Sequence, residues 1–300
     1  MTKLRVASYY DPEMSGRNDG APLYVTNVFN RDYPDINFVH LAPKASAKDH
    51  GTFDFHLWID WGEDCWPESE AAHFVCPKPN FYWVSDLHCS EASFKYRVEK
   101  AKQFDMIGCY HRQFVEPIKA AVGHDRVYWL PVAADPQAYP YGQAAKKYDV
   151  GFIGNLCNEE RVAALDKMFR AFPTSFWAKR VFEQAAEAYQ EMKICFNHAL
   201  KEDINMRNAE VTCCGGFLLT PDLRSQGLGE LWEVGKEIVV YQDLDEAIQL
   251  AKHYVACDDE REVIAAAGAA RTHRDHTYKR RVEQMMAWAT TAKLWPGVPA

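Results

Sequence analysis

Short runs of apolar, β-branched and aromatic residues recur along the chain with amphipathic segments between them. That is the alternation expected of parallel sheets covered by helices. In the first half the predicted strands are 4–10, 37–41, 55–59, 80–84, 105–109 and 126–130, with surface helices over 90–103 and 112–122. The alternation stops between Pro131 and Lys147, where Pro131, Pro136, Pro140 and Gly142 sit among small residues, as in a segment joining two domains. It resumes with a strand over 148–153, a Gly154-Asn155 turn and a helix carrying Glu159, Glu160 and Arg161. Further strands are predicted at 175–177, 193–197, 216–220 and 237–241, and helices at 181–190, 207–214, 245–255 and 260–274. The pattern predicts an α/β chain of two doubly wound, Rossmann-like domains whose strand ends face a shared cleft. The expected boundaries are 1–140 and 141–280, with 281–300 as a helix or tail packing back on the first domain.

Composition fits two cores. The chain has 300 residues, 48% hydrophobic and 25% charged. No apolar run approaches the roughly 18 residues that cross a bilayer, and the polar start lacks the apolar stretch of a signal peptide. A soluble cytoplasmic protein without a membrane span is therefore expected. Nine cysteines, an odd number without a C-x-x-C pair, read as reduced thiols. The net charge of −8 argues against a chain that wraps nucleic acid through phosphate contacts.

The densest candidate chemistry lies between Asn197 and Gly216. A helix beginning near Asn205 would direct its free N–H groups and positive dipole end at an anion such as a diphosphate. Arg207 in the first turn adds a bidentate cation, and Glu210 three residues on shares its face, placed to accept from a diol. Gly215-Gly216 lets the chain leave the helix with positive φ and lets a ligand approach the backbone. The plainer alternative is an N-cap at Asn205, a surface Arg207–Glu210 pair and a glycine C-cap.

Four patches carry a family resemblance: Tyr148-Asp149-Val150-Gly151-Phe152-Ile153-Gly154-Asn155 with Glu160-Arg161; Asn205 to Glu210 with Cys214 to Thr220; Glu230-Leu231-Trp232 through Gly235 to Tyr241; and His276-Thr277-Tyr278 with Arg281. In order and spacing they resemble the carboxyl-terminal domain of the CgeB-like, spore-maturation type of glycosyltransferase, a family 4-like branch with a GT-B fold. The first half is similar to the amino-terminal half of such proteins through Trp83 to His88, Phe104 to Ile107 and Leu130 to Pro136. The resemblance implies an acceptor-side domain followed by a nucleotide-sugar-binding domain. It also implies transfer of a sugar from a nucleotide-diphosphate donor, most simply a UDP-sugar, to a carbohydrate or other hydroxyl acceptor, with retention. The family's Glu-x7-Glu motif falls on Glu202, for the sugar, and Glu210, for the ribose, with Asp203-Ile204-Asn205 replacing the usual glycine-rich turn between them.

Cations aimed at the departing diphosphate would stabilise the transition state, and Arg207, Arg161 and Lys201 are the candidates. Gly154, Asn155, Glu202, Asn205, Glu210, Gly215 and Gly216 complete the expected donor site. In the first half Asp86 and His88 follow a strand, where an acid beside an imidazole could activate an acceptor hydroxyl or bond the reacting sugar. Asp60, ahead of Trp61 and Gly62, holds a similar position and ranks below His88. Asp243-Leu244-Asp245 has the spelling of a metal-binding D-x-D, yet it precedes a helix, where an acid caps the N-terminus. His73-x2-Cys76, His88-Cys89 and Cys109-x-His111 lack the spacing of a zinc site. A donor site without metal or other cofactor follows. A nucleotide-sugar epimerase, a sugar-nucleotide-binding module and a hydroxymethylated DNA base as acceptor remain the alternatives, the last disfavoured by the acidity of the chain.

Overall fold

The computed structural model describes residues 3–9, 20–41, 52–60 and 74–295. Trp61, Gly62 and His73 lie outside the described residues. The chain divides into two compact units, one comprising Met1–Pro131 with Tyr278–Ala300 and the other Val132–Thr277.

Among the described residues the first unit contains six strands, β1 (Leu4–Tyr9), β2 (Ile36–Leu41), β3 (Phe55–Ile59), β4 (Asn80–Val84), β5 (Met106–Cys109) and β6 (Val127–Trp129), ordered β2-β1-β3-β4-β5-β6. Every pairing is parallel. Strands β3 and β4 are buried at every position, as inner strands of a sheet covered on both faces must be. The helices among the described residues are α1 (Ala21–Asp32), α2 (Glu91–Ala101), α3 (Val115–Val122) and, from the far end of the chain, α10 (Tyr278–Thr291). Helix α1 was not among the elements expected from the sequence. It buries seven of its residues, and Tyr24 stacks on Tyr278 of α10 with ring centroids 4.9 Å apart. Arg281 on α10 is buried and donates from Nε to the carbonyl of Pro131 at 2.9 Å.

The second unit contains β7 (Tyr148–Ile153), β8 (Ser175–Ala178), β9 (Met192–Phe196), β10 (Leu218–Pro221) and β11 (Val239–Tyr241), ordered β11-β10-β9-β7-β8 and again parallel throughout. Its helices are α4 (Glu159–Arg170), α5 (Phe182–Glu191), α6 (Met206–Cys213), the short α7 (Leu228–Leu231), α8 (Leu244–Ala256) and α9 (Asp258–Asp275). Val150, Phe152, Ile194, Phe196 and Leu219 from the strands pack with Leu165, Met168, Ala247, Ala251 and Ile264 from the helices in one apolar core. Strand order reverses beside β7: β8 follows on one side, and β9, next in sequence, pairs on the other. The carboxyl ends of β7 and β9 therefore form the switch point, the place where open parallel sheets bind ligands. Among the described residues no helix is long and apolar enough to cross a membrane. Both units are doubly wound, Rossmann-like α/β folds.

Candidate functional site

Strand β7 ends at Ile153 and β9 at Phe196, so Gly154 and Asn197 stand at the switch point of the second unit. Helix α6 starts there. Its N-cap, Asn205, has extended backbone at φ −82° and ψ 170° and makes no side-chain cap. The Asn205 amide instead donates to Asn197 Oδ1 at 3.3 Å. With no side chain across its end, the first turn of α6 keeps the outward-facing N–H groups and partial positive charge that suit an anion.

Arg207, in that first turn, crosses the gap between the two strands. Its Nε donates to the carbonyl of Ile153 at 2.8 Å and its Nη1 to Asn197 Oδ1 at 2.6 Å, while the guanidinium lies 4.2 Å from the Phe152 ring centroid. Arg161, from the first turn of α4, approaches the same ring at 5.5 Å. It donates to the carbonyls of Asn155 and His198, each at 3.0 Å, and to the Cys157 sulfur. No carboxylate is within ion-pair distance of either arginine among the described residues. Burial, and then repulsion from Arg207, lowers the pKa of Arg161 from its ordinary value. Two guanidiniums on one aromatic ring, neither in a salt bridge among the described residues, form a cationic site for a multiply charged anion.

Asn197 holds this arrangement together and was missed as a site residue in the sequence. It is fully buried, its Nδ2 donates to Asn208 Oδ1 at 3.1 Å and Thr220 Oγ1 at 3.0 Å, and its carbonyl accepts from the Tyr241 hydroxyl at 2.8 Å. Its place at the end of a predicted strand was the available signal. The partners, 11 to 44 residues away, gave none.

The other expected donor residues divide into two groups. Asn155 is exposed, directly after Gly154, and Glu210 is half-buried on α6 one turn beyond Arg207. Lys201 and Glu202 form an exposed turn with left-handed backbone at φ 49° and 56°, a conformation glycine adopts more readily. The Glu202 carboxylate accepts from Gln226 Nε2 at 2.9 Å. Gly215 and Gly216, by contrast, end α6. Their N–H groups bond the carbonyls of Thr212 and Val211, and Gly215 has φ 84°, the left-handed turn that terminates a helix. Eight residues of helix place them roughly 12 Å from the Arg207 end, so the pair does not join the cationic group.

Asp243 accepts from Glu246 N at 2.9 Å and caps α8, the capping alternative for that D-x-D. In the first unit Asp86 is exposed with φ 49°, and its carbonyl accepts from the Ser93 hydroxyl at 3.0 Å. His88 is half-buried, its ring 4.5 Å from that of His111, which the sequence named only in the Cys109-x-His111 spelling. Asp86, His88 and Cys89 offer ligand atoms within 4.8 Å of one another, the nearest approach to a metal-binding group in that loop. Asp60 is engaged within the fold. It is fully buried and accepts from Arg97 Nε at 2.9 Å, from the Tyr82 hydroxyl at 2.7 Å and from Ser85 N at 3.2 Å, which fixes the ends of β3 and β4.

Residues 144–287 match the model of a glycosyl transferase-like family. No curated protein matches the sequence. Among solved structures, sucrose-phosphate synthase from Thermosynechococcus elongatus superposes with a TM-score of 0.68 at 9% identity, over 97% of this chain and 99% of that one. Anabaena HepE, determined in complex with UDP and glucose, gives 0.67 at 10% identity over 96% and 100%. A putative UDP-N-acetylglucosamine 2-epimerase from Listeria monocytogenes gives 0.55 at 10% identity over 98% and 97%. At these identities the structural likeness establishes the fold, and the family match supplies the chemistry. The chain is an enzyme of the glycosyltransferase class with the GT-B fold, and residues 144–287 are its glycosyl transferase-like domain.

Proposed function

We propose that the enzyme moves a sugar from a UDP-sugar to an acceptor hydroxyl, with retention of configuration and without a resident metal or cofactor. The observation that carries the reading is the pair of guanidiniums, Arg207 and Arg161, on Phe152 beside the open first turn of α6. As the bond between sugar and phosphate breaks, negative charge collects on the diphosphate. Two fixed cations and the helix end stabilise that charge more strongly than the charge of the bound donor. Arg207 is the catalytic cation in this reading. Glu210 accepts from the ribose diol, and Gly154, Asn155, Arg161 and Asn205 frame the diphosphate, with Lys201 and Glu202 on the sugar side.

The first unit takes the acceptor side, where Asp86 and His88 are the groups that would receive the hydroxyl proton or bond the sugar. Membership of the CgeB-like branch is part of the proposal and rests on the four sequence patches. A carbohydrate acceptor and a cytoplasmic location are also proposed. Net charge of −8 disfavours DNA as acceptor; duplex binding at low salt that fades as salt rises would reinstate it.

The test is calorimetric titration with UDP, GDP, ADP and dTDP, followed by UDP-sugars with acceptor panels. UDP binding is expected, and Arg207→Ala should weaken it by roughly 10- to 150-fold, the loss of a charge-assisted pair. Acceptor-dependent UDP release should persist with EDTA, and the product's anomeric configuration should match the donor's. Absence of binding to any of the four diphosphates would end the reading. The Listeria structure favours one alternative, an epimerase. An epimerised donor without acceptor-dependent release of UDP would establish it. Donor binding without any turnover would leave a binding module.

A further inference from the structure

The second unit holds a cavity of about 290 Å³ that the donor site does not use. Its walls are the connecting segment 141–146, Gly215 and Phe217 beyond the end of α6, and Arg261, Glu262, Ala265 and Ala266 on α9. Gly215 marks the end of α6 opposite Asn205 and Arg207, so this cavity is separated from the cationic site by the length of that helix.

Its wall is pre-formed. Gln190 Nε2 donates to the carbonyls of Pro140 at 2.9 Å and Cys214 at 3.2 Å, and Gly142 N donates to the Cys214 carbonyl at 3.4 Å. Tyr141 packs on Gly215 so closely that a Cβ there would lie 2.8 Å from the ring, yet half of Tyr141 is exposed. An aromatic face is thereby held open in a chain where most large aromatics are buried.

The polar groups are unusual for an empty structural gap. Arg261 is 2% exposed, and only its Nη1 has protein acceptors, the Tyr254 carbonyl at 2.8 Å and Asp258 Oδ1 at 2.6 Å. The Nε and Nη2 donors have no acceptor among the described residues, and Arg261 lines the cavity. Lys146 stands in the same wall, with Nζ donating to the Gln190 carbonyl at 2.7 Å and two further N–H donors in hand. Its pKa lies below the ordinary lysine value, chiefly through desolvation, with the Arg261 charge lowering it further and Glu262 opposing. The buried Arg261 guanidinium, paired with Asp258 through Nη1 alone, and the Lys146 ammonium thus border one small space, and a buried guanidinium with unused donors calls for an oxyanion.

We propose that this cavity binds a small phosphorylated sugar, with the phosphate on Arg261 and Lys146, the ring against Tyr141 and the hydroxyls toward Glu262 and Gln143. A phosphate offers enough acceptor oxygens for the remaining donors of both side chains. The volume, at the lower edge of ligand pockets, admits a monosaccharide phosphate and excludes a nucleotide sugar. The site is thus one for a second ligand, distinct from the donor.

The full chain would be titrated with glucose 6-phosphate, alone and with saturating UDP. Saturable binding in both conditions is expected. Lys146→Ala and Tyr141→Ala, both at exposed positions, should each weaken it at least tenfold while leaving the UDP affinity within twofold. No saturable binding up to about 10 mM, corresponding to an affinity too weak for a site, would overturn the proposal. So would abolition of binding by UDP, indifference to Lys146→Ala, or inorganic phosphate binding as tightly as the sugar phosphate. The UDP titration reports on the donor site by itself, so its failure is distinguishable from failure here.

Discussion

A Cβ placed on Gly154 would lie 2.3 Å from Nη2 of Arg207. The guanidinium fills the space that only a glycine leaves, and the glycine, at φ 147°, holds a backbone conformation that side chains rarely adopt. Gly154→Ala should therefore push Arg207 away from Ile153 and Asn197 and weaken UDP binding by about tenfold or more, one charge-assisted contact's worth. Calorimetry reads it directly; an unchanged Kd would show that Arg207 does not reach the ligand from this position.

Asp60 and Arg97 form a buried ion pair, 0% and 5% exposed at the side chain, completed by Tyr82 and Ser85. Removing one partner leaves the other charge buried and alone. Asp60→Asn should cost about 3–5 kcal/mol of stability in chemical denaturation, with UDP affinity retained in the folded fraction. A loss below about 1 kcal/mol would mean the pair is solvated and open to catalysis.

Gly215→Ala separates helix capping from ligand binding. The new methyl meets the Tyr141 ring at 2.8 Å and the Gly142 carbonyl at 3.3 Å, on backbone at φ 84°. A destabilisation of about 1–3 kcal/mol is expected, while the UDP Kd stays within twofold. A large fall in UDP affinity without loss of stability would return Gly215 to the donor site.

Burial lowers the pKa of His56, whose Nδ1 lies 2.9 Å from the Tyr9 hydroxyl. His198 is also lowered, by desolvation first, with Glu160 opposing and Arg161 adding. Folded values below the ordinary 6.5 mean that the unfolded chain binds more protons across that interval. The stability from these two groups is full above about pH 6.5 and is lost as pH falls through their folded values. Asp222, held far below the carboxylate range by hydrogen bonds from Arg224, titrates under that window. Denaturation midpoints should thus fall between pH 7.5 and 5.5, and less steeply in His56→Gln; a flat profile in the wild type would contradict the assignment.

Elements with a local cause were legible in the sequence. Strand β4 reads as an apolar run because both its faces are covered, and α8 announces its start with Asp243. Helix α1 was not legible. Its Val25, Thr26, Asn27 and Val28 disfavour a helix taken alone, and it is held by burial and by Tyr278 from the opposite end of the chain. Asp60 looked like a site residue because a carboxylate after a strand fits that description; its partner, Arg97, lies 37 residues away.

The sequence by itself determined the alternation of strands and helices, and the order of Gly154, Arg207 and Glu210 along one domain, since both depend on residues close in the chain. Only the tertiary structure decided that β9 pairs with β7 across an intervening β8, and that Arg207 therefore meets Ile153, 54 residues earlier, and Asn197 in one step. Strand order is set by how whole faces pack against one another, which no local period encodes.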